Sequence, residues 1–420
     1  MPVAVLNNNQ CASLVNEAFA QATGADTIDT LSLHDIVDRG NDPDVIGSKE
    51  NFTKSLLNVM IGRRYTDPEY RTKRRDPYYM DSHEYGAISS FVSVEVPEVQ
   101  ASHAWVDITS GTTTAGTYTI YLPIVDERIY GKTISYQLPV AVTGEQWDTA
   151  FHNEDELAKF VNYIFLCVDN AIAKHQENMT QINRANFIAA KINYANSVGA
   201  TGVHVVDLVK AYCESSGRTT DMTVEEFLHD REALNWAMSE LIFYKDMIQE
   251  MSTLFNTEGR ERFVTDDRLV IETLSRFDQA VAAVAMSDTY HNDILRLDNH
   301  YTVPSWQALD DGVSALSFDA TSSIDIELVP ASGDDAAVEV QQSGIVAFMC
   351  DKWAIMHTMF KRRVAAKLFE PEDITQYYYQ FRDGYMNNLT LNAIVFVVED
   401  WTAPVDDGGD GGDGGDGGLG

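Results

Sequence analysis

The chain has 420 residues, of which 45% are apolar, and it carries 64 acidic against 30 basic side chains, a formal net charge of −34. That length can bury two or three hydrophobic cores, and the apolar fraction excludes an acidic disordered chain. A strongly negative surface repels nucleic acid and anionic membranes, which excludes a DNA-binding role for most of it.

Residues 1–80 predict an arm and not a core. Weak helical patterns cover 12–19 and 52–60, and a turn-rich stretch at 38–43 separates them. The amino terminus shows no charged stretch followed by an apolar one, so we expect no signal peptide. No apolar run is long enough to cross a membrane, so we expect no membrane partner.

A basic segment, GRRYTDPEYRTKRRDPY at 62–78, interrupts the acidic chain. It carries six basic side chains against three acidic ones. The basic residues are Arg63, Arg64, Arg71, Lys73, Arg74 and Arg75.

Residues 81–148 predict an extended antiparallel β-arm. Stretches rich in β-branched and aromatic residues recur at 91–96, 104–108, 117–122 and 132–138, with a flexible Gly/Thr tip between the second and third. Such an arm buries too little to be stable alone and needs a neighbour.

The strongest helical pattern runs from 153 to 196. Asn153 and an acidic first turn suit a helix start, and no proline or glycine follows before Gly199. A helix of this length spans about 65 Å, more than a small domain. Its apolar residues recur every three or four positions: Leu157, Val161, Ile164, Val168, Ile172, Met179 and Ile182.

The rest of the folded chain alternates between helical and β patterns. Residues 197–300 favour helices, including a capped start at 220–227. We expect strands at 323–329, 337–340, 343–353, 376–381 and 392–398, and a helix at 354–368. Residues 401–420, rich in glycine and aspartate, predict a disordered tail, since a calcium-binding β-roll needs an apolar residue in each repeat.

No enzyme fingerprint of high specificity occurs, and we expect no catalytic residue, metal or cofactor. His291, beside Asp288 and Asp293 and nine residues before His300, is the nearest approach to a metal cluster. Its spacing is wrong for zinc, which favours a polar surface. The four isolated cysteines favour buried thiols: Cys11, Cys167, Cys213 and Cys350.

Two further candidates favour core packing over chemistry. His357 lies among bulky apolar residues, which is typical of a core histidine and less so of a catalytic base. The run 377–379 consists of tyrosines that could stack on bases, but without a basic groove a packed strand is the better interpretation.

The order of these parts resembles the major capsid protein of tailed bacteriophages, the HK97-like fold. That α+β fold has an N-arm, an extended β E-loop, a long spine helix in a peripheral (P) domain and an axial (A) domain. The match is most specific at GIVAFMCDKWA (344–354) and NAIVF (392–396), and INRANFI (182–188) resembles the shorter podophage members related to φ29. The corresponding parts would be the N-arm 1–80, E-loop 81–148, P domain 149–196, A domain 197–340, return to the P domain 341–400 and tail 401–420.

The resemblance implies a virion shell subunit that forms hexamers and pentamers, assembled in the host bacterial cytoplasm. Its partners would be further copies of itself, a separate scaffolding protein, a portal at one vertex and packaged double-stranded DNA, contacted non-specifically. The basic segment would then pair with acidic surfaces of adjacent copies, since arginine suits bidentate carboxylate contacts. DNA contact at the inner face and a solvated stem stay open.

Some members of the family are cross-linked between subunits, which would place Lys132 against Asn387 or Asn388. Other functions also stay open at this point: an encapsulin-like cellular compartment shell, another virion structural protein such as a portal, or an acidic enzyme with an unrecognised site.

Overall fold

The structure is a computed structural model, and it describes residues 77–80, 89–95, 124–130, 134–143, 145–146, 154–199, 202–286, 300–307, 316–328, 337–359, 363–369 and 374–404. Several predicted features lie outside these residues. They are the helical patterns at 12–19 and 52–60, the basic residues between 63 and 75, and the β patterns at 104–108 and 117–122.

A single long helix, α1 (Glu154–Val198, 45 residues), confirms the strongest helical pattern of the sequence. At the usual rise per residue it is about 67 Å long. Val168 and Ile172 are buried in its first half, and Phe187 is buried in its second. The helix ends before Gly199, whose φ of 67° is the left-handed conformation that glycine adopts at helix ends.

The chain divides into two compact units, and the division falls inside α1. The first unit holds residues 1–184 and 352–388, and the second holds 185–351 and 389–420. Each unit is therefore built from segments that are far apart in the sequence, and each has a five-stranded sheet.

The sheet of the first unit is organised around one long strand, β13 (Ile374–Asn387). One edge of β13 pairs antiparallel with β4 (Ile134–Thr143). The other edge is shared by β12 (Arg363–Phe369) and β11 (Ile355–Met359), both antiparallel. A two-residue strand, β1 (Tyr79–Met80), adds parallel to β11. The predicted strands at 132–138 and 376–381 are confirmed, and both are longer than expected.

The first unit also contains an antiparallel ribbon of two strands, β2 (Ser89–Val94) and β3 (Val125–Tyr130). The ribbon confirms the β pattern at 91–96. It forms a separate two-stranded sheet, because neither strand joins the sheet around β13.

Residues 354–368 were predicted to be helical, and the prediction is wrong, because residues 355–359 form β11 and residues 363–368 belong to β12. The segment is rich in alanine, lysine and arginine, but helix preference is worth only tenths of a kcal/mol per residue. Every residue of β11 pairs with β13 between Asp383 and Asn387, and this ladder overrides the local preference. A 3₁₀ turn, Lys352–Ala354, precedes β11.

The second unit contains a sheet whose strands are, in spatial order, β5 (Val205–Asp207), β14 (Ala393–Val397), β10 (Ile345–Asp351), β6 (Leu269–Leu274) and β7 (His300–Val303). The central strands β10 and β14 are antiparallel and buried at every position. They confirm the apolar strands expected at 343–353 and 392–398.

Gly344 allows the chain to pass close to the backbone of Val398 just before β10 begins. Its φ is 74°, and a Cβ at this position would overlap the carbonyl oxygen of Val398. The Gly344 carbonyl in turn accepts a hydrogen bond from the Val398 backbone N–H at 2.8 Å. Only glycine allows both the conformation and the approach.

Shorter elements complete the second unit. The predicted capped start is confirmed, because Thr223 and Glu226 exchange side-chain-to-backbone hydrogen bonds of 3.2 Å. The strands expected at 323–329 and 337–340 are also confirmed. The elements are α2 (Leu208–Ser216), α3 (Val224–His229), α4 (Arg231–Gln249), α5 (Ser275–Met286), α6 (Phe318–Ser322), β8 (Ile324–Leu328) and β9 (Val338–Gln342).

The start of the predicted disordered tail needs correction. Trp401 forms a two-way backbone bridge with Met222, with hydrogen bonds of 2.9 and 3.0 Å. The Ala403 N–H donates to Asp221 Oδ1 at 2.8 Å. These hydrogen bonds attach residues 401–404 to the second unit. The composition of the segment did not predict this, because composition does not show which backbone groups find hydrogen-bond partners. Residues 405–420 lie outside the described part of the chain.

Candidate functional site

The β2–β3 ribbon exposes large apolar side chains on one face. Residues two apart on a strand, and residues directly paired across strands, lie on the same face of a sheet. Val94 opposes Val125 in the ribbon. Val92, 61% exposed, and Ile129, 63% exposed, lie on that same face. We call this surface the ribbon face and define it as Ser90, Val92, Val94, Val125, Glu127 and Ile129.

The opposite face of the ribbon is packed within the first unit. The Phe91 ring lies 5.8 Å from the Tyr130 ring and 6.4 Å from the Trp353 indole, measured between centroids. The ribbon is therefore anchored on one side and open on the other. Four large apolar side chains exposed together on one face of a ribbon indicate a site of interaction with another molecule.

A partly buried cluster of rings joins α1 to the sheet of the first unit. The His175 ring lies 4.2 Å from the Tyr136 ring and 5.3 Å from the Phe381 ring. Burial lowers the pKa of His175, against the opposing effect of the Asp383 carboxylate. Burial also raises the pKa of Tyr136, and Asp383 adds to that rise. The lowered pKa favours the neutral form of His175, and the ring contacts indicate a packing role.

His357, the candidate base, is a buried residue of β11 and does not lie on a helix. Its ring stacks on Tyr385 at a centroid distance of 4.6 Å and an interplanar angle of 14°. Its backbone N–H donates to the carbonyl oxygen of Tyr78 at 3.1 Å. The interpretation as a core histidine is confirmed. Tyr377 and Tyr379 are likewise buried in β13, which confirms the packed strand.

Lys191 is a fully buried lysine of α1 in the second unit. Its Nζ donates a hydrogen bond to the carbonyl oxygen of Phe255 at 2.7 Å. Burial lowers the pKa of Lys191 to about 7, so this side chain is only partly charged at neutral pH. Burial, together with the positive charge of Lys191, lowers the pKa of His204 to about 4. The sequence analysis did not predict that this lysine is buried, although the apolar residues Phe187 and Ile188 lie four and three positions before it on the helix.

The predicted contact residues are only partly within the described chain. Lys132 and the six basic residues between 63 and 75 lie outside it. Asn387 and Asn388 lie together at the end of β13. The Asn387 side-chain amide donates to the carbonyl oxygen of Asn183 at 3.1 Å. Asn388 is 4% exposed.

The structure describes some of the histidine, aspartate and cysteine residues that the sequence analysis considered as metal ligands or buried thiols. His300 Nε2 lies 3.2 Å from Asp278 Oδ1, while 288–293 lie outside the described chain. Within the described residues, no group of three potential ligands could hold a metal ion. Cys213 and Cys350 are buried and form no disulfide. Every helix in the described ranges is too short or too polar to traverse a bilayer.

The ribbon face could be found only in part from the sequence. The β pattern and the need for a neighbour were visible, but alternation alone does not say which face is already covered. That depends on the contact between Phe91 and Trp353, residues 262 positions apart in the chain.

Comparison with known proteins identifies one family. The model of the Phi29-like phage major capsid protein family matches residues 44–397. No curated protein matches the chain.

Solved structures similar to this chain include three from phages. A chain from the capsid structure of Staphylococcus phage Andhra is 11% identical, with a TM-score of 0.47, over 76% of this chain and 82% of that one. A chain from the structure of head fiber and inner core protein gp22 of native bacteriophage P68 is 12% identical, with a TM-score of 0.47, over 76% and 83%. One from the capsid of Cyanophage P-SCSP1u is 10% identical, with a TM-score of 0.36, over 80% and 92%.

Proposed function

The chain belongs to the Phi29-like phage major capsid protein family, and from this premise we propose that its copies form the hexamers and pentamers of an icosahedral phage head. The family match over residues 44–397 carries the proposal, because it extends over segments of both compact units. The protein is a structural component of the virion capsid, and the match does not favour a cellular compartment shell.

We assign the ribbon to the E-loop, the part that contacts an adjacent subunit in the proposed head. The ribbon face supports this assignment, since its valines and isoleucine are more than half exposed in the single chain. Burying such side chains against a neighbouring copy is favourable by roughly 25 cal/mol per Å² of apolar surface. The N-arm 1–80, the P domain with α1, the A domain and the return of the chain near 341–400 are proposed as in the sequence analysis.

The basic segment is proposed to pair with carboxylates on adjacent copies. The chain supports this by charge, since identical copies with a net charge of −34 repel one another and need a local basic surface to associate. Replacing Arg74→Glu together with Arg75→Glu is expected to abolish assembly and leave a folded subunit. If shells form normally and only DNA packaging fails, the segment contacts DNA instead.

Assembly is proposed to take place in the host bacterial cytoplasm with a separate scaffolding protein and a portal at one vertex. Packaged DNA would be enclosed without sequence recognition, and the acidic character of the chain suits DNA that must slide past the lining. The scaffold proposal fails if purified subunit alone forms uniform shells.

The function is tested by expressing the full-length chain alone and together with the other head proteins of its phage. Sedimentation and negative-stain electron microscopy should show closed particles in the second sample. A protein that remains monomeric in both samples, at every concentration, would overturn the proposed function.

A covalent cross-link between Lys132 and an asparagine of a neighbouring copy is a separate proposal. Asn387 is the better candidate, because Asn388 is 4% exposed. Denaturing gels of mature particles should show a ladder of multimers, and monomer bands alone would end this proposal.

A further inference from the structure

A second group of exposed apolar side chains lies in the second unit, on the loop that follows α4. Met251, Leu254 and Phe263 are each close to half exposed. Ser252 and Arg262 form a two-way backbone bridge, with hydrogen bonds of 3.0 and 3.1 Å. Met251 and Phe263 flank this bridge in opposed positions, and such side chains are cross-strand neighbours. We call Met251, Leu254 and Phe263 the loop patch.

The loop is held firmly although it contains no helix or named strand. From α1, Lys191 donates to the Phe255 carbonyl at 2.7 Å, and the Tyr194 hydroxyl donates to the Thr257 carbonyl at 3.0 Å. The same Phe255 carbonyl accepts the Ala393 N–H at 3.1 Å. Phe255 itself is buried. These bonds fix the loop from two sides.

The carboxy-terminal part of the unit adds further support. The Thr257 hydroxyl donates to the Leu389 carbonyl at 3.0 Å, and the Asn392 side-chain amide donates to the Arg262 carbonyl at 3.2 Å. A loop that is already ordered loses little conformational entropy when a partner binds, so its exposed apolar residues are prepared for a contact.

The charge of the loop identifies the kind of partner. Residues 250–264 contain three acidic and two basic residues, so the loop is almost neutral on a chain of net charge −34. Its Glu258 carboxylate is paired with Arg262 at 3.0 Å and with Arg260 at 3.5 Å. A nearly neutral apolar surface offers little attraction to DNA or to a strongly basic peptide, but it adds little local charge repulsion when two acidic copies approach there.

We propose that the loop patch is a contact surface for a second copy of this chain in the assembled head, distinct from the ribbon face. The inference rests on the proposed function, because it takes other copies as the available partners. Half-exposed side chains of this size can supply the apolar centre of an interface, with the surrounding polar residues as its rim. Lys191 and Tyr194 act as positioning residues that hold the patch in place.

The test compares Met251→Asp/Phe263→Asp with Val338→Asp in the full-length chain, expressed with the other head proteins. Val338, 43% exposed on β9, is a matched apolar site outside the patch. The double variant should give about tenfold fewer sedimenting particles, because each carboxylate would be buried in the contact without a partner, and the control should assemble as the parent does. Circular dichroism of the soluble subunit checks folding.

A photo-cross-linking residue placed at 263 keeps the proposal testable even if the double variant fails to fold. In assembled particles it should give adducts between two copies of the chain, and the same residue at 338 should not. Assembly of the double variant at the parental level, or absence of chain–chain adducts from 263, overturns the loop-patch proposal alone. If the unaltered chain forms no particles, the proposed function fails first.

Discussion

The central strands of the second unit and the β2–β3 ribbon both carry regular apolar residues, but they differ in what covers them. All positions of β10 and β14 are buried within one chain, on both faces of the strands. The ribbon packs the half-buried Phe91 ring near the Trp353 indole and leaves Val92 and Ile129 exposed. The first region stabilises the subunit, and the second is available to a neighbour. Substitutions in the two regions should therefore separate subunit stability from assembly.

The largest effect on stability is expected in the central sheet. Phe348 is fully buried, and its ring lies 5.8 Å from the Phe187 ring. Phe348→Ala should lower the free energy of unfolding by about 3–5 kcal/mol, because it removes apolar contacts and leaves a cavity. Urea unfolding followed by fluorescence measures the change. Val92→Ala in the ribbon is the control, with an expected change within about 0.5 kcal/mol. Equal losses in the two variants would contradict the comparison.

An intermediate effect is expected at Lys191, and it depends on pH. The pKa of Lys191 is about 7 in the folded chain and 10.5 for an unperturbed lysine. Between these values the unfolded chain binds the extra proton, so this lysine makes stability rise with pH, by up to about 1.4 kcal/mol per unit. Below pH 7 Lys191 is protonated in both the folded and the unfolded chain. The folded chain then carries the full free-energy cost of burying the charge.

Lys191→Met removes that pH dependence. The variant should be more stable than the parent at pH 6–7, and the difference should shrink toward pH 10. The Phe255 carbonyl keeps its hydrogen bond from Ala393 at 3.1 Å, so the substitution leaves no acceptor without a donor. Urea midpoints of the two proteins across this pH range provide the measurement. If the free energy of unfolding changes equally with pH in the parent and in Lys191→Met, the pKa of Lys191 is not lowered in the folded chain.

The smallest effect on the subunit, and a large one on assembly, is expected at the ribbon face. Val92→Asp with Ile129→Asp should change the free energy of unfolding by less than about 0.5 kcal/mol, since both side chains are already exposed. In the head, each carboxylate would be buried against an apolar neighbour, which is costly without a partner. Sedimentation of co-expressed material should show folded subunits and no shells. Normal shells would show that the ribbon face is not an interface.

Much of the fold was predictable where local pattern and tertiary environment agree. The 45-residue helix has regular apolar spacing and a clear end at Gly199, and β10 and β14 are short apolar runs between turns. The segment 354–368 was mispredicted because its partner strand, β13, decides its conformation. Pairing between separate parts of the chain is not visible in a local sequence window.

The candidate site was less predictable than the fold. The need of the β-arm for a neighbour followed from its small size, but the identity of the open face required the packing of Phe91. Lys191 was not predicted to be buried, because its contact with the Phe255 carbonyl joins residues 64 positions apart in the chain. The loop patch was hidden for a similar reason, because exposure of Met251 and Phe263 depends on how the loop is folded.

The most direct test of the central claim is a near-atomic electron cryomicroscopy map of heads assembled from the full-length chain. We expect Val92 and Ile129 on the ribbon face to lie in van der Waals contact with a neighbouring copy, at distances within about 4.5 Å. A map of closed heads in which both side chains face solvent would contradict it.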